Sequence, residues 1–212
     1  MLRSYIDHMT NTAPSLAAGV EHVRQALGVT PQVGGEHPRM GTHNCLLKLG
    51  EAVFLEVISV DPDAPRPDRP RWFQLDEPDS NRAPRLATWV VRTNDIRAAV
   101  TASPVSLGNV EPMSRGRFNW LITIPQDGSL PLEGVAPTVI QWQENHPAST
   151  LQDSGCFLVR LEGFHPRAEK VREMLQSIGF QDEFSVSPLP PGERPYLIAH
   201  LQTPAGPRRL RA

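Results

Sequence analysis

Cysteine is scarce in this chain: two in 212 residues, Cys45 and Cys156, lie far apart and in no CxxC spacing. That excludes a disulfide framework and a structural zinc site of the usual kind, and it fits a reducing compartment. Long apolar runs are also missing. No window approaches the roughly 20 residues that cross a bilayer, and Met1 to Ser4 opens no apolar stretch behind a basic start, as a signal peptide would. Charge of one sign is not in excess either, with 21 Lys+Arg against 23 Asp+Glu. The arginines are scattered, so no basic stripe could collect a phosphate backbone. The expectation is a cytoplasmic protein with neither nucleic acid nor membrane as a partner. The cluster Arg208, Arg209 and Arg211 reads as a solvated tail.

Proline is abundant, with 22 copies, many of them in Asp61 to Pro70, Pro125 to Pro137 and Pro188 to Pro195. Proline cannot donate to a ladder and stops helices, so these clusters read as loops between short elements. Ser4 to Met9 is β-compatible, and Asn11-Thr12-Ala13-Pro14 signals entry into a helix running to about Leu27, with Gly28 as its C-cap. Val20, Val23 and Leu27 give that helix a buried stripe. His43 to Leu49 and Ala52 to Val60 read as a hairpin about Gly50-Glu51.

The order then recurs. Leu86 to Arg92 reads as a strand, Asn94-Asp95 caps a helix to about Ala102, and Phe118 to Ile124 and Thr138 to Gln143 read as strands. A third copy runs from the strand Cys156 to Leu161, through a helix over Pro166 to Ile178, to the strand Pro195 to Gln202. Tightly joined strands after each helix favour βαβββ units over a parallel sheet. The letters repeat too: Gly41-Thr42-His43-Asn44-Cys45-Leu46-Leu47 and Gly116-Arg117-Phe118-Asn119-Trp120-Leu121-Ile122 share Gly-x-x-Asn followed by an apolar pair. Gly192 and the pair Leu197-Ile198 keep the phase without the asparagine. The fold expected is α+β, with modules over 1–78 and 79–150 paired around a central cleft and a truncated βαββ module over 151–212 packed on them.

Several of these residues together resemble a known family. Ile6-Asp7-His8, a helix ending in Leu-Gly, Gly34-Gly35-Glu36-His37-Pro38, Gly41-Thr42-His43-Asn44 and Phe54-Leu55-Glu56-Val57-Ile58 are similar to a glyoxalase-like domain of the vicinal-oxygen-chelate superfamily. The resemblance covers roughly Tyr5 to His146. It implies two βαβββ modules about a pseudo-twofold axis, with metal ligands on the first and last strands of each. Carried over, it puts His8 and Glu56 in the metal-ligand positions of module one, Glu56 also being the catalytic carboxylate. A divalent Zn, Mn, Fe, Ni or Co ion is the implied cofactor.

Module two departs from the pattern: Gln141 stands where a second glutamate belongs, and Trp89 or Thr88 where the second first-strand ligand belongs. The ligand set is therefore incomplete. In the hairpin, a two-residue turn pairs Cys45 with Glu56 and puts His43 on the Glu56 side; one residue of slip would put Asn44 there. His37 and His146 precede prolines in loops and read as solvated, and His200 reads as a strand residue with a local hydrogen bond. Cys45 reads as an inert core residue. The ligand-binding candidates are His43, Trp89, Trp120 and Gln141, with Trp72, Phe73 and Trp142 as further aromatic cleft candidates.

Two functions stay open. One is a metal-dependent lyase, isomerase or dioxygenase-like enzyme acting on a small organic molecule. The other is a metal-free protein of the same fold that binds or sequesters such a molecule, Trp89 offering a stacking surface in place of a ligand. Exchange of modules between two chains would give a homodimer, an arrangement the resemblance leaves open.

Overall fold

The computed structural model describes residues 1–79, 81–190 and 192–211; Pro191, inside the Pro188 to Pro195 stretch, lies outside the described residues. The first module comprises β1 (Ser4–Thr12), α1 (Leu16–Leu27), β2 (Gln32–His37), β3 (Thr42–Lys48) and β4 (Phe54–Val60). Asn11 and Thr12 belong to β1, and the α1 cap is Ser15, whose Oγ accepts from the Ala18 N–H at 3.3 Å. The helix ends at Gly28, whose φ of 75° only glycine adopts without cost. The second module comprises β5 (Arg85–Thr93), α2 (Ile96–Ala102), β6 (Asn109–Arg115), β7 (Phe118–Ile124) and β8 (Thr138–Trp142). Strand β6 is an addition to the sequence reading. Its Pro112 hides it, and the proline is tolerated because β6 is an edge strand.

The eight strands of the two modules form one curled sheet in the order β2-β3-β4-β1-β5-β8-β7-β6. Each half repeats the other about the central antiparallel pair β1–β5, in which His8 faces Val90 and Met9 faces Trp89. Strand alternation then sorts the side chains. Met9, Leu55, Val57, Trp89, Val91 and Val139 join Val23 and Leu27 of α1 in a core on the outer face. Ile58, Val90, Trp120, Ile122 and Ile140 join Met40, Trp72 and Phe73 in a second core on the inner face.

The third unit, β9 (Phe157–Phe164), α3 (Ala168–Ser177), β10 (Phe184–Ser187), β11 (Tyr196–Thr203) and β12 (Gly206–Arg211), has one strand more than the sequence reading gave it. The expected tail pairs with β11 as β12, and its Leu210 is buried. The element order is that of the other modules, but the strand order is β10-β9-β11-β12, with the first strand inside the sheet. The unit docks on the outer face. Leu161, Val171, Met174, Ile178 and Leu201 share the core that holds Trp89, and Ser4 exchanges backbone hydrogen bonds of 3.0 Å with Gly179 and Gln181.

Candidate functional site

The site begins with an irregularity in β1. Adjacent strand residues point to opposite faces, so Asp7 and His8 should diverge. The β1–β5 register shifts between Ile6 and His8, a bulge that lets two neighbouring residues share a face. Their side chains meet: His8 Nδ1 lies 2.6 Å from Asp7 Oδ1. A carboxylate only accepts, so the hydrogen is on Nδ1 and His8 Nε2 is left to face Glu56 Oε2 at 3.6 Å. Asp7 is fully buried and accepts two further bonds at Oδ2, from Trp142 Nε1 at 2.8 Å and His146 Nε2 at 2.9 Å. His146 Nδ1 accepts from the Ala148 N–H, which fixes the hydrogen on Nε2. Burial pushes the Asp7 carboxyl up, but the hydrogen bonds from His146 and His8 outweigh it and hold it well below the usual carboxylate range.

Glu56 is reached from β3. Leu46 pairs with Glu56 and Asn44 with Ile58, so Asn44 and Glu56 share the inner face, and Asn44 Nδ2 donates to Glu56 Oε1 at 2.6 Å. Asn44 Oδ1 accepts from the Gly35 N–H at 3.0 Å and from Arg115 Nη1 at 2.8 Å. A Cβ on Gly34 would stand 2.1 Å from that oxygen, so only glycine lets β2 approach so closely. His37, 3% exposed, places Nε2 3.5 Å from Arg115 Nη1 and Nδ1 3.1 Å from Thr42 Oγ1. Burial first, and then the charge of Arg115, lower the His37 pKa to about 3, so this imidazole is neutral at ordinary pH.

Phe54, Trp72, Phe73, Trp120, Ile140 and Trp142 wall the space. Phe54 stacks on His8 with centroids 4.5 Å apart, and Trp72 stacks on Phe73 at 5.3 Å. The backbone of Phe73 is left-handed (φ 58°), a conformation that costs a bulky residue roughly 1–3 kcal/mol. The cavity measures about 30 Å³. His37, Arg115 and Trp120 also line a wider outer cleft of about 950 Å³.

Of the residues singled out in the sequence, His8, Glu56 and Trp120 are brought together in this cavity, with Trp72, Phe73 and Trp142. His43 is not. The hairpin turn is one residue longer than expected, Leu49 bonding to Val53, so the register slips by one and His43 turns to Ser59 Oγ, 2.9 Å from its Nε2. Trp89 alternates with Val90 and lies on the outer face, stacked on Phe184 at 4.5 Å, its Nε1 donating to the Val135 carbonyl at 2.9 Å. Gln141 also points outward, its Oε1 accepting from the Ile96 N–H at the start of α2 at 2.8 Å. His37 and His146, expected in solvent, are site residues. His200 bonds to Glu162 as a strand residue, and burial pushes the Cys45 thiol up. The sequence reading missed Asp7, Asn44 and Arg115 as site members; only the slipped-register alternative pointed to Asn44.

A family model for the glyoxalase-like domain matches residues 6–179. The chain belongs to the glyoxalase-like domain family. A hypothetical protein from Staphylococcus aureus has the same fold, with a TM-score of 0.58 at 14% identity over 98% of this chain and 84% of that one. Methylmalonyl-CoA epimerase from Mycobacterium tuberculosis scores 0.43 at 17% identity over 69% of this chain and 91% of that one. A mutant 4-hydroxymandelate synthase from Streptomyces coelicolor scores 0.48 at 14% identity over 100% and 63%. Curated protein sequences yield no match. No helix among the described residues is long and apolar enough to cross a membrane.

The sequence resemblance implies a divalent metal, but the donors in this glyoxalase-like chain do not fit one. His8 and Glu56 supply two. The facing half presents Ile122, Ile140 and the Trp120 and Trp142 rings, and the guanidinium of Arg115 lines the same space, a cation where a second cation would be repelled. Among the described residues no group of three or more His, Cys, Asp or Glu side chains could hold a metal ion.

Proposed function

We propose that the inter-module cavity binds a small organic molecule and that His8 and Glu56 move a proton on it without a metal. The observation that carries this reading is the Asp7–His8–Glu56 arrangement. Asp7 accepts from His8 Nδ1 at 2.6 Å and so aims Nε2 at the Glu56 carboxylate, 3.6 Å away. A carboxylate that fixes an imidazole tautomer is the usual support for a general base. Glu56, held by Asn44, is the matching acid or second base, and the aromatic walls exclude water from the exchange.

A second reading, binding without turnover, draws on the one-sidedness of the site: apart from Arg115, module two contributes walls, with Val90 opposite His8 and Ile140 in the lining. One experiment separates the two. A panel of small carbonyl compounds with C–H bonds next to the carbonyl is incubated with protein in deuterated water and followed by proton NMR. Wild-type protein should exchange a C–H proton of at least one compound, and His8→Gln and Glu56→Gln should not. Binding with no exchange favours the passive reading. Stoichiometric metal in protein purified without chelators, lost in Glu56→Ala, would overturn the metal-free mechanism.

A further inference from the structure

Arg115 is the group that the proton-transfer reading leaves unused. It ends the edge strand β6 and is held over the cavity by one donated bond to Asn44 Oδ1, 2.8 Å, with His37 Nε2 at 3.5 Å. Among the described residues no carboxylate lies within ion-pair distance of it, although Arg24, Arg39, Arg69 and Arg71 each have such a partner. Burial lowers its pKa, and the more distant Glu56 opposes that shift. The fork has five N–H donors, and a mostly buried cation without a counter-ion is costly. Its place is built: a Cβ on Gly35 would stand 3.0 Å from Arg115 Cδ, so the glycine leaves room for the stem, and the guanidinium carbon lies 5.8 Å from the centre of the Phe118 ring.

Two further donors in the same cavity lack partners. Trp72 Nε1 and Trp120 Nε1 are buried with no hydrogen-bond acceptor among the described residues, and both rings line the cavity. A buried donor left unpaired is costly, whereas the Trp89 and Trp142 indoles both have acceptors. The site thus has a cation without an ion-pair partner and two unpaired N–H groups in the same cavity that His8 and Glu56 line.

From this arrangement we infer that the ligand is a small organic carboxylate, its carboxylate oxygens meeting the Arg115 fork and the indole N–H groups while its apolar body rests in the outer cleft. The inference rests on the reading of this cavity as a ligand site. The inner space of about 30 Å³ admits only a head group; the outer cleft of about 950 Å³, lined by Met113, Phe118 and Trp120 and flanked by Arg39 and Arg117, holds the rest. Repulsion from Glu56 keeps the anion on the Arg115 side and leaves the carbon next to it toward His8 and Glu56. Planar guanidinium matches carboxylate through two parallel bonds, which an ammonium cannot reproduce.

The test is a tryptophan-fluorescence titration of the full chain with benzoate, phenylacetate, 3-phenylpropionate and isovalerate, each against its neutral amide. At least one acid should bind tenfold or more tighter than its amide. Arg115→Met should lose that preference, the acid's affinity falling tenfold or more toward that of its amide, and Arg115→Lys should restore part of it. Should Arg115→Met fail to fold, the wild-type acid-to-amide ratio and the Arg115→Lys protein carry the test. Amides binding as well as acids, or a preference that survives in Arg115→Met, would overturn the carboxylate assignment and leave the ligand site standing. No binding by any acid or amide up to about 10 mM, weaker than about −2.7 kcal/mol, would remove both.

Discussion

Asp7→Asn is the sharpest test of how the site is held. The Asp7 carboxylate accepts N–H donors from His8, Trp142 and His146 at 2.6, 2.8 and 2.9 Å. Asparagine has the same shape but one acceptor oxygen and an N–H₂ group in place of the other. At most two of the three donors can share that oxygen, and the third meets another donor unless His8 moves its hydrogen to Nε2. A hydrogen bond to a charged group is worth about 1.5–3 kcal/mol, and a buried donor left unpaired costs about 1–3 kcal/mol. Relief of the buried charge offsets part of this, so the net loss should be about 2–4 kcal/mol. For a chain of this length that lowers Tm by roughly 4–16 °C. The pH dependence follows from the lowered Asp7 carboxyl. A depressed acid contributes its stability above its unfolded value of about 3.9 and loses it as pH falls through the lower folded value. The gap between wild type and Asp7→Asn should therefore not narrow from about pH 8 to about pH 5, and should close only in stronger acid. Urea unfolding across that range measures the gap, and nitrogen NMR of the His8 ring reads its tautomer. A variant that melts within about 2 °C of wild type with the His8 hydrogen still on Nδ1 would show that Asp7 neither stabilises nor orients the site.

The neutral His37, with its pKa lowered to about 3, contributes stability that is complete above the unfolded value of about 6.5 and falls by about 1.4 kcal/mol per pH unit below it. Urea unfolding from pH 7 to pH 4 should show that slope flattened in His37→Gln, and equal slopes would place His37 in a solvated, titrating state. Trp89→Ala should cost about 3–5 kcal/mol, measured by guanidinium unfolding, because it removes the stack on Phe184. The milder Trp89→Phe should leave cavity ligand affinity unchanged, and a folded Trp89→Phe protein that no longer binds would put Trp89 in the ligand path. Deleting the chain from Gly155 onward should cause aggregation or loss of stability by exposing Trp89 and the outer core. A truncated chain as soluble and heat-stable as the full one would refute the docking role of the third unit.

Much of the fold was legible because it follows local rules. The caps at Gly28 and Asp95, the buried stripe of α1 and the apolar run of β4 are set by residues within one or two turns of each other. The hairpin shows how little separates a correct element from a wrong face. A two-residue turn at Gly50-Glu51 pairs Cys45 with Glu56; the turn closed by Leu49 and Val53 pairs Leu46 with it instead. Side chains alternate with a period of two, so that single residue exchanges His43 for Asn44 beside Glu56. The module pattern places Trp89 in the cleft, yet its neighbour Val90 faces His8 across the pair. A pattern of types along a strand gives two faces without saying which face turns inward.

The site residues that escaped the sequence sit where the local rules are broken. Asp7 joins His8 because of a bulge that no periodicity predicts. Asn44 accepts from the β2 backbone at the register shift between Val33 and Gly35, where a Cβ at Gly34 has no room. Arg115 ends a strand concealed by Pro112, and Phe73 reaches the cavity through a left-handed backbone. Each departure costs stability that regular pairing would have kept, and together they converge on one cavity between the modules. Regular β-strands bring alternate residues to a face at fixed spacing, so they cannot by themselves crowd an acid, an imidazole, an amide and a guanidinium into a few ångströms. Bulges, glycine contacts and an edge strand can. The symmetric frame is therefore the part readable from repeats, whereas the chemistry depends on irregularities of module one and one arginine from the far edge of module two, which is why the two halves share a topology and divide the work so unequally.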